Sequence, residues 1–309
     1  MKEHLIVHFN NNILSISMPS KQSEIFPSVF KRKTSLNCRG RLVDISNPQV
    51  MGIINLTPDS FYSKSRVKSE METLNRVEQI LKEGGSMVDV GAYSSRPNAF
   101  HISEDEELAR LIPILKLIRS HFPDVVISVD TFRALVAEQS IEEGGADLIN
   151  DISGGEMDAK MFDTIARMNV PYILMHMQGT PQNMQKNPHY EDVTAEVFLS
   201  LSKRVDVLRS MGVNDIIVDP GFGFGKSMKD NYRLLRELDQ MAFFELPILV
   251  GFSRKSMIHK LLEISIDEAL NGSTVLNTLA LTKGANILRV HDVKEAVQCV
   301  KLVAQLCET

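Results

Sequence analysis

From Val50 onward the chain alternates short apolar, β-branched runs with longer stretches of helical periodicity. The runs occupy residues 50–54, 87–90, 125–129, 146–149, 171–175, 215–218, 247–250 and 285–290. Each is too short for a helix and nearly continuous in apolar residues, as strands buried on both faces are. Between them, apolar positions recur on one helical face, as Val197, Leu201, Val205 and Leu208 do. Ser69 with Glu72 and Ser103 with Glu106 read as capping boxes. Asp292 reads as the cap of a last helix whose apolar face carries Val293, Val297, Val300 and Ala304. A weak repeat supports the alternation. The segments beginning at Gly84, Gly144, Gly212 and Gly284 each read as a helix-ending glycine, a short link and a strand.

This pattern predicts an α/β protein, a single-domain (β/α)8 TIM barrel over residues 36–309, preceded by an N-terminal extension over residues 1–35. A doubly wound open sheet is the alternative, since periodicity does not reveal closure. An open sheet of so many parallel strands usually splits into two binding halves, so the barrel is the better reading. The extension is polar, with Asn10-Asn11-Asn12 and Lys31-Arg32-Lys33. It reads as loosely packed or disordered, with a basic targeting tail as the sharper alternative.

Composition narrows the classes. With 309 residues, 43% hydrophobic and 24% charged, the chain buries one sizeable core. A net charge of −5 argues against nucleic acid or an anionic membrane as partner. The three cysteines, Cys38, Cys299 and Cys307, contain no C-x-x-C pair and form neither a disulfide framework nor a zinc site. They suit a reducing compartment. No run is long enough to span a membrane and no secretory signal leads the chain, so the cytoplasm is the expected location.

In a barrel of this kind the active site lies at the C-terminal ends of the strands. Polar residues stand where each run stops: Asn55, Ser94-Ser95-Arg96, Asp130, Asn150-Asp151, His176, Asp219, Ser253-Arg254-Lys255-Ser256, then Arg289 and His291. Asp130 and Ser253 taken singly read equally well as helix caps, and His176 as a satisfied core histidine. Arg96, Lys255 and Arg289 suit neither a helix start nor an apolar core. Cations buried at a barrel mouth need a counter-ion or ligand, and three of them imply an anionic ligand, phosphate above all. Two loops are unlike plain connectors. The first, residues 55–62, carries Pro58, Phe61 and Tyr62 and reads as a loop closing over a ligand. The second, residues 219–227, ends like a phosphate-binding loop, but Pro220 stands where its first glycine should be. It reads instead as a glycine-rich loop laying Phe222 or Phe224 against a flat ligand.

Taken in order, these segments resemble dihydropteroate synthases. The resemblance rests on Met51-Gly52-Ile53-Ile54-Asn55-Leu56-Thr57-Pro58-Asp59-Ser60-Phe61, Ser94-Ser95-Arg96-Pro97, Ser128-Val129-Asp130-Thr131, Ile149-Asn150-Asp151-Ile152 and Leu174-Met175-His176-Met177-Gln178-Gly179. It continues through Asp219-Pro220-Gly221-Phe222-Gly223-Phe224-Gly225-Lys226, Ser253-Arg254-Lys255-Ser256 and Arg289-Val290-His291-Asp292. The reaction it implies joins 7,8-dihydropterin-6-ylmethyl diphosphate to 4-aminobenzoate, giving 7,8-dihydropteroate and diphosphate. It implies pterin contacts from Asp130, Asn150, Ile152, Met175, Asp219, Lys255 and Arg289, and diphosphate contacts from Asn55, Arg96, Arg289 and His291. Ser95, Pro97, Phe224 and Ser256 would line the aminobenzoate pocket. Asn55, Asp59, Arg96, Lys255, Arg289 and His291 would carry catalysis, with Mg2+ as cofactor at Asn55. The partners implied are these small molecules and a second copy of the chain, and sulfonamides would act as mimics of aminobenzoate. The chain departs from the family's usual pattern at Ser95 for Thr, at Ala92-Tyr93 for Gly-Glu, and at Tyr62-Ser63-Lys64-Ser65-Arg66 after Phe61. A methyltetrahydrofolate methyltransferase-like barrel and a catalytically silent pterin-binding paralogue are the competing readings. Neither explains why Arg96, Lys255, Arg289 and His291 are all kept.

Overall fold

Each apolar run becomes a strand and each amphipathic stretch a helix in the computed structural model, which describes residues 4–9, 12–17, 33–56, 63–94, 101–184, 186 and 188–308. Two antiparallel hairpins come first, β1 (His4–Phe9) with β2 (Asn12–Ser17) and β3 (Ser35–Cys38) with β4 (Arg41–Asp44). The alternation then runs β5 (Gln49–Asn55), α1 (Ser63–Lys82), β6 (Met87–Gly91), α2 (Glu104–His121), β7 (Val126–Asp130) and α3 (Ala134–Glu142). It continues with β8 (Leu148–Asp151), α4 (Met161–Met168), β9 (Tyr172–Met175), α5 (Val193–Ser210), β10 (Ile216–Asp219) and α6 (Met228–Arg236). It ends with β11 (Leu249–Val250), α7 (Ser256–His259), α8 (Leu270–Thr282), β12 (Ile287–Val290) and α9 (Val293–Glu308).

The eight strands from β5 on form one parallel sheet in the order β10-β9-β8-β7-β6-β5-β12-β11. A parallel bridge between Val218 and Ile248 joins its two edges, with the Val218 amide donating to the Pro247 carbonyl at 2.9 Å. This closure excludes the open doubly wound sheet.

Side chains alternate across a strand with period two, so the barrel interior can be read in layers. The lower layer takes Met51, Met87, Val126, Leu148, Ile173, Ile217, Leu249 and Ile287, one from each strand and all buried. Two residues further along each strand the layer is Ile53, Asp89, Ser128, Asn150, Met175, Asp219, Gly251 and Arg289. It is mostly polar. The outward-facing residues, such as Val88, Val90, Ile127, Val129, Leu174 and Val218, pack under the helices.

The β3–β4 hairpin seals the N-terminal end. Leu36, Cys38 and Ile45 are buried against the lower layer. Lys33 ties the entering chain to the same end, pairing with Asp215 at 2.7 Å and donating to the Asn214 carbonyl at 2.9 Å. Lys33 thus has a structural use that the targeting-tail reading did not foresee; Lys31 and Arg32 lie outside the described residues.

Three local readings are corrected or refined. Ser69 lies inside α1, which begins at Ser63, so it caps nothing. Ser103 does cap α2, accepting from the Glu106 amide at 3.1 Å, while the Glu106 carboxylate pairs with Arg110. Asp292 precedes α9, but its carboxylate is held by Arg254 at 2.7 and 3.2 Å. Of the repeat glycines, Gly84, Gly212 and Gly284 have positive φ, while in the second repeat the positive φ falls one residue later, at Gly145 and not at Gly144.

Truncating the plug tests its part in the core. Leu36→Ala should cost about 2–4 kcal/mol in urea unfolding, the usual range for a leucine lost from a packed interior. A loss below about 0.5 kcal/mol would mean the hairpin is a surface ornament.

Candidate active site

The polar layer and the residues just above it form the floor of the barrel mouth. Asp130 and Asp219 end β7 and β10, Asn150 stands one residue before the end of β8, and Arg289 reaches across from β12. Arg289 does not wait there for an anionic ligand. Its Nε donates to Asp89 at 2.6 Å and its Nη2 to Asp130 at 2.7 Å, so two protein carboxylates share one guanidinium. Burial raises the pKa of Asp130 to about 7; Arg289 opposes the rise and Asp89 adds to it. Burial likewise raises that of Asp219, against the pull of Lys255, and one Asp219 oxygen accepts the Gly221 amide at 2.7 Å.

Lys255 follows Arg254, whose φ of 57° lies in the left-handed region. Its ammonium donates to the Phe222 carbonyl and lies 4.7 Å from the centre of the Phe224 ring. Burial lowers its pKa to about 8, with Asp219 working the other way. Ser256 opens α7 and is exposed. Arg254 clamps Asp292, and Ser253 Oγ accepts the His291 amide at 3.2 Å, so the loops after β11 and β12 are stitched together. His291 is half-buried. Burial, and then Arg289, lower its pKa to about 4, so it is neutral at pH 7. Asn55 ends β5 with its residue exposed. Neither Asp130 nor Ser253 serves as a helix cap: α3 and α7 begin after Arg133 and Lys255.

The glycine-rich loop is organised by Lys226, not by an anion. This buried ammonium donates to the carbonyls of Gly221 at 2.9 Å, Phe224 at 3.1 Å and His176 at 3.3 Å, and lies 3.1 Å from His176 Nδ1. Gly221 has a φ of 69°, and a Cβ there would stand 1.9 Å from the His176 carbonyl oxygen, so only glycine fits. His176 is buried, and burial followed by Lys226 lowers its pKa to about 2. The core-histidine reading holds. Of the two candidate aromatics, Phe222 is fully buried against Phe252, at 4.5 Å between ring centres, while Phe224 is only partly buried beneath Lys255. Ile152 and Met175 join Phe132, Met177 and Met184 in an apolar wall beside the floor.

The structure thus brings together Asp130, Asn150, Met175, Asp219, Lys255 and Arg289. Asp59, Ser95, Arg96 and Pro97 lie outside the described residues, so the three converging cations reduce to Lys255 and Arg289 among those described. Asp89 and Lys226 are the residues that reading the ends of the runs missed. Asp89 was findable: it stands two residues after Met87, where the period of two points a side chain into the barrel.

The chain is a (β/α)8 barrel whose mouth carries two carboxylates, an amide, a lysine and an arginine beside an apolar wall, and it falls in the class of pterin-binding enzymes. The family described as "Pterin binding enzyme" matches residues 51–291. The dihydropteroate synthase of Haemophilus influenzae is 41% identical over 269 residues, covering 86% of this chain and 97% of that protein. The crystal structure of Yersinia pestis dihydropteroate synthase with a sulfonamide drug complex superposes with a TM-score of 0.81 at 38% identity, covering 89% of this chain and 99% of that one. The Xanthomonas albilineans enzyme with 4-aminobenzoic acid gives 0.82 at 34% identity, covering 89% and 99%. The chain belongs to the dihydropteroate synthase family.

Removing the Lys226 ammonium should expose its strut role. Lys226→Met leaves buried carbonyls without a donor, at about 1–3 kcal/mol for each group that finds no other partner. We expect a lower melting temperature and faster amide exchange across residues 219–227. Unchanged exchange in that loop would refute the role.

Proposed function

We propose that this chain joins 7,8-dihydropterin-6-ylmethyl diphosphate to 4-aminobenzoate, forming 7,8-dihydropteroate and releasing diphosphate. The observation that carries the reading is the polar mouth, where Asp130, Asn150 and Asp219 stand at the C-terminal ends of β7, β8 and β10 and Lys255 in the loop after β11. A pterin ring presents an amino group and ring N–H donors beside a carbonyl. Asp219 and Asp130 accept from those donors, Asn150 adds its carbonyl oxygen because its NH2 is held by Asp89, and Lys255 donates to ring acceptors. Ile152 and Met175 supply the apolar side, and the Arg289 guanidinium lies against the ring plane.

His291 and Arg289, with Arg96, receive the diphosphate. The C–O bond to diphosphate breaks with its electron pair leaving on oxygen. The resulting pterin methylene cation is then captured by the arylamine nitrogen, which loses a proton to solvent. Catalysis is mostly electrostatic: fixed donors stabilise charge building up on the leaving group, and no protein nucleophile is used. Ser256 and Phe224, together with Ser95 and Pro97, are the residues we assign to the aminobenzoate, and Asn55 and Asp59 are assigned to catalysis.

Mg2+ suits this donor set. Among the described residues no group of three or more His, Cys, Asp or Glu could hold a metal, while Asn55 offers one exposed amide oxygen at a strand end. Mg2+ is commonly held by one or two protein oxygens plus substrate phosphates and water. When bound it would neutralise charge on the leaving diphosphate. Two chains pairing through α8 and α9 fits their surface, where Val275, Leu279 and Leu302 stay exposed. No described helix is long and apolar enough to cross a membrane.

The test is incubation with the pterin diphosphate, 4-aminobenzoate and Mg2+. Dihydropteroate should form with one diphosphate per turnover, and a sulfonamide should compete with 4-aminobenzoate. Diphosphate release without dihydropteroate would overturn the reading. Asp219→Asn should weaken pterin affinity by about 1–3 kcal/mol in calorimetry, because a charged acceptor becomes an amide with a misplaced donor. Wild-type affinity in that variant would remove Asp219 from the pterin site.

A further inference from the structure

Asp89 is the residue in the barrel whose presence most needs a reason. It is fully buried in the middle of β6, between Val88 and Val90, and a carboxylate there is costly unless fully satisfied. Three donors from three other strands meet it: Ser128 Oγ at 2.5 Å from β7, Asn150 Nδ2 at 3.0 Å from β8 and Arg289 Nε at 2.6 Å from β12. Two of these partners belong to the proposed pterin floor, and each is constrained by the contact. The Asn150 NH2 is committed to Asp89, so its carbonyl oxygen is turned away from that carboxylate. The Arg289 fork is split, one edge on Asp89 and the other nitrogen on Asp130.

We infer that Asp89 is a positioning residue for the pterin site: it fixes the Asn150 amide and divides Arg289, so that Asp130 keeps acceptor capacity for the ligand. Without it, the guanidinium would turn its paired N–H groups onto Asp130 in a bidentate bridge and use up that acceptor. The Asn150 amide would be free to reverse its two ends. The inference rests on the pterin reading only for its ligand; the arrangement of the side chains is independent of it.

Charge gives a signature that loosened packing would not. The groups bearing on Asp130 are Arg289 from β12, Asp89 from β6, Glu107 from α2 and Asp151 at the end of β8. The three carboxylates raise the proton affinity of Asp130 and Arg289 lowers it. Replacing Asp89 by a neutral residue removes one of the raising charges, so Asp130 becomes more acidic. The ionised Asp130 is the form that accepts from pterin N–H groups. Pterin affinity is therefore lost as pH falls through the Asp130 pKa, and in the variant this loss moves to lower pH.

The experiment compares the full-length wild type with Asp89→Asn. Carbon-13 NMR of labelled aspartates, without ligand, follows the Asp130 carboxyl across pH. Calorimetry with 6-hydroxymethylpterin follows affinity. In the variant we expect the Asp130 midpoint to fall by about one pH unit. Pterin affinity at pH 8 should drop by about tenfold or more, the scale of one lost charged hydrogen bond, and the acid limb of binding should shift in step. An unmoved midpoint overturns the inference, as does weaker binding with an unmoved acid limb, which would mean a merely structural role. A second measurement needs no variant: the Arg289 Nε–H of the wild type should exchange slowly with water, and fast exchange overturns the inference even if Asp89→Asn does not fold. A wild type that fails to bind the pterin sinks the pterin reading, while the ligand-free measurements still decide the role of Asp89.

Discussion

One guanidinium held between two carboxylates sets the terms for the rest of this barrel. Arg289 spans from β12 to Asp89 in the interior and to Asp130 at the rim. A cation inside a barrel is tolerable only when paired and hydrogen-bonded, and the pair must come from strands that close on one another. The sheet therefore has to be closed and in register before the mouth exists. The same bridge leaves a local surplus of negative charge, which Lys255 offsets from the other side of the mouth beside Asp219. Floor, rim and loop are parts of one electrostatic arrangement, not separate contacts.

The two ends of the barrel solve opposite problems. At the N-terminal end eight apolar side chains meet a hairpin plug. Two residues up, the polar layer needs partners from every direction, and the structure supplies them across strands. The transition is abrupt because side chains point inward only at every second position. The glycine-rich loop repeats the logic in backbone form: Lys226 gathers the carbonyls of His176, Gly221 and Phe224 around one ammonium.

Much of this was legible in the residues. The apolar runs sit within two positions of the observed strands, because strands covered on both faces leave little room for ambiguity. Asp130, Asn150, Asp219 and Arg289 were legible because a parallel strand delivers its last polar side chains to the C-terminal end, and Lys255 because a lysine just past a strand suits neither a helix start nor an apolar core. Closure was not, since it depends on the bridge between Val218 and Ile248, residues thirty positions apart (248 − 218) with no local signal. Asp89 was hidden by attention to where runs stop. Lys226 was hidden by its likeness to a phosphate loop, since carbonyl convergence is a property of backbone geometry. The capping reading at Ser69 failed because a serine followed three places later by glutamate also occurs on any polar helix face.

The hairpin plug also fixes the direction from which the chain arrives. Lys33 is anchored beside Asp215, where β10 is about to begin, and the site lies at the far end of the same strand, past Asp219. The five residues from 215 to 219 span roughly 13 Å at the usual strand rise. A cross-linker or label placed on the Lys33 side chain would therefore sit at the sealed base, with the substrate entrance at the opposite end of the barrel.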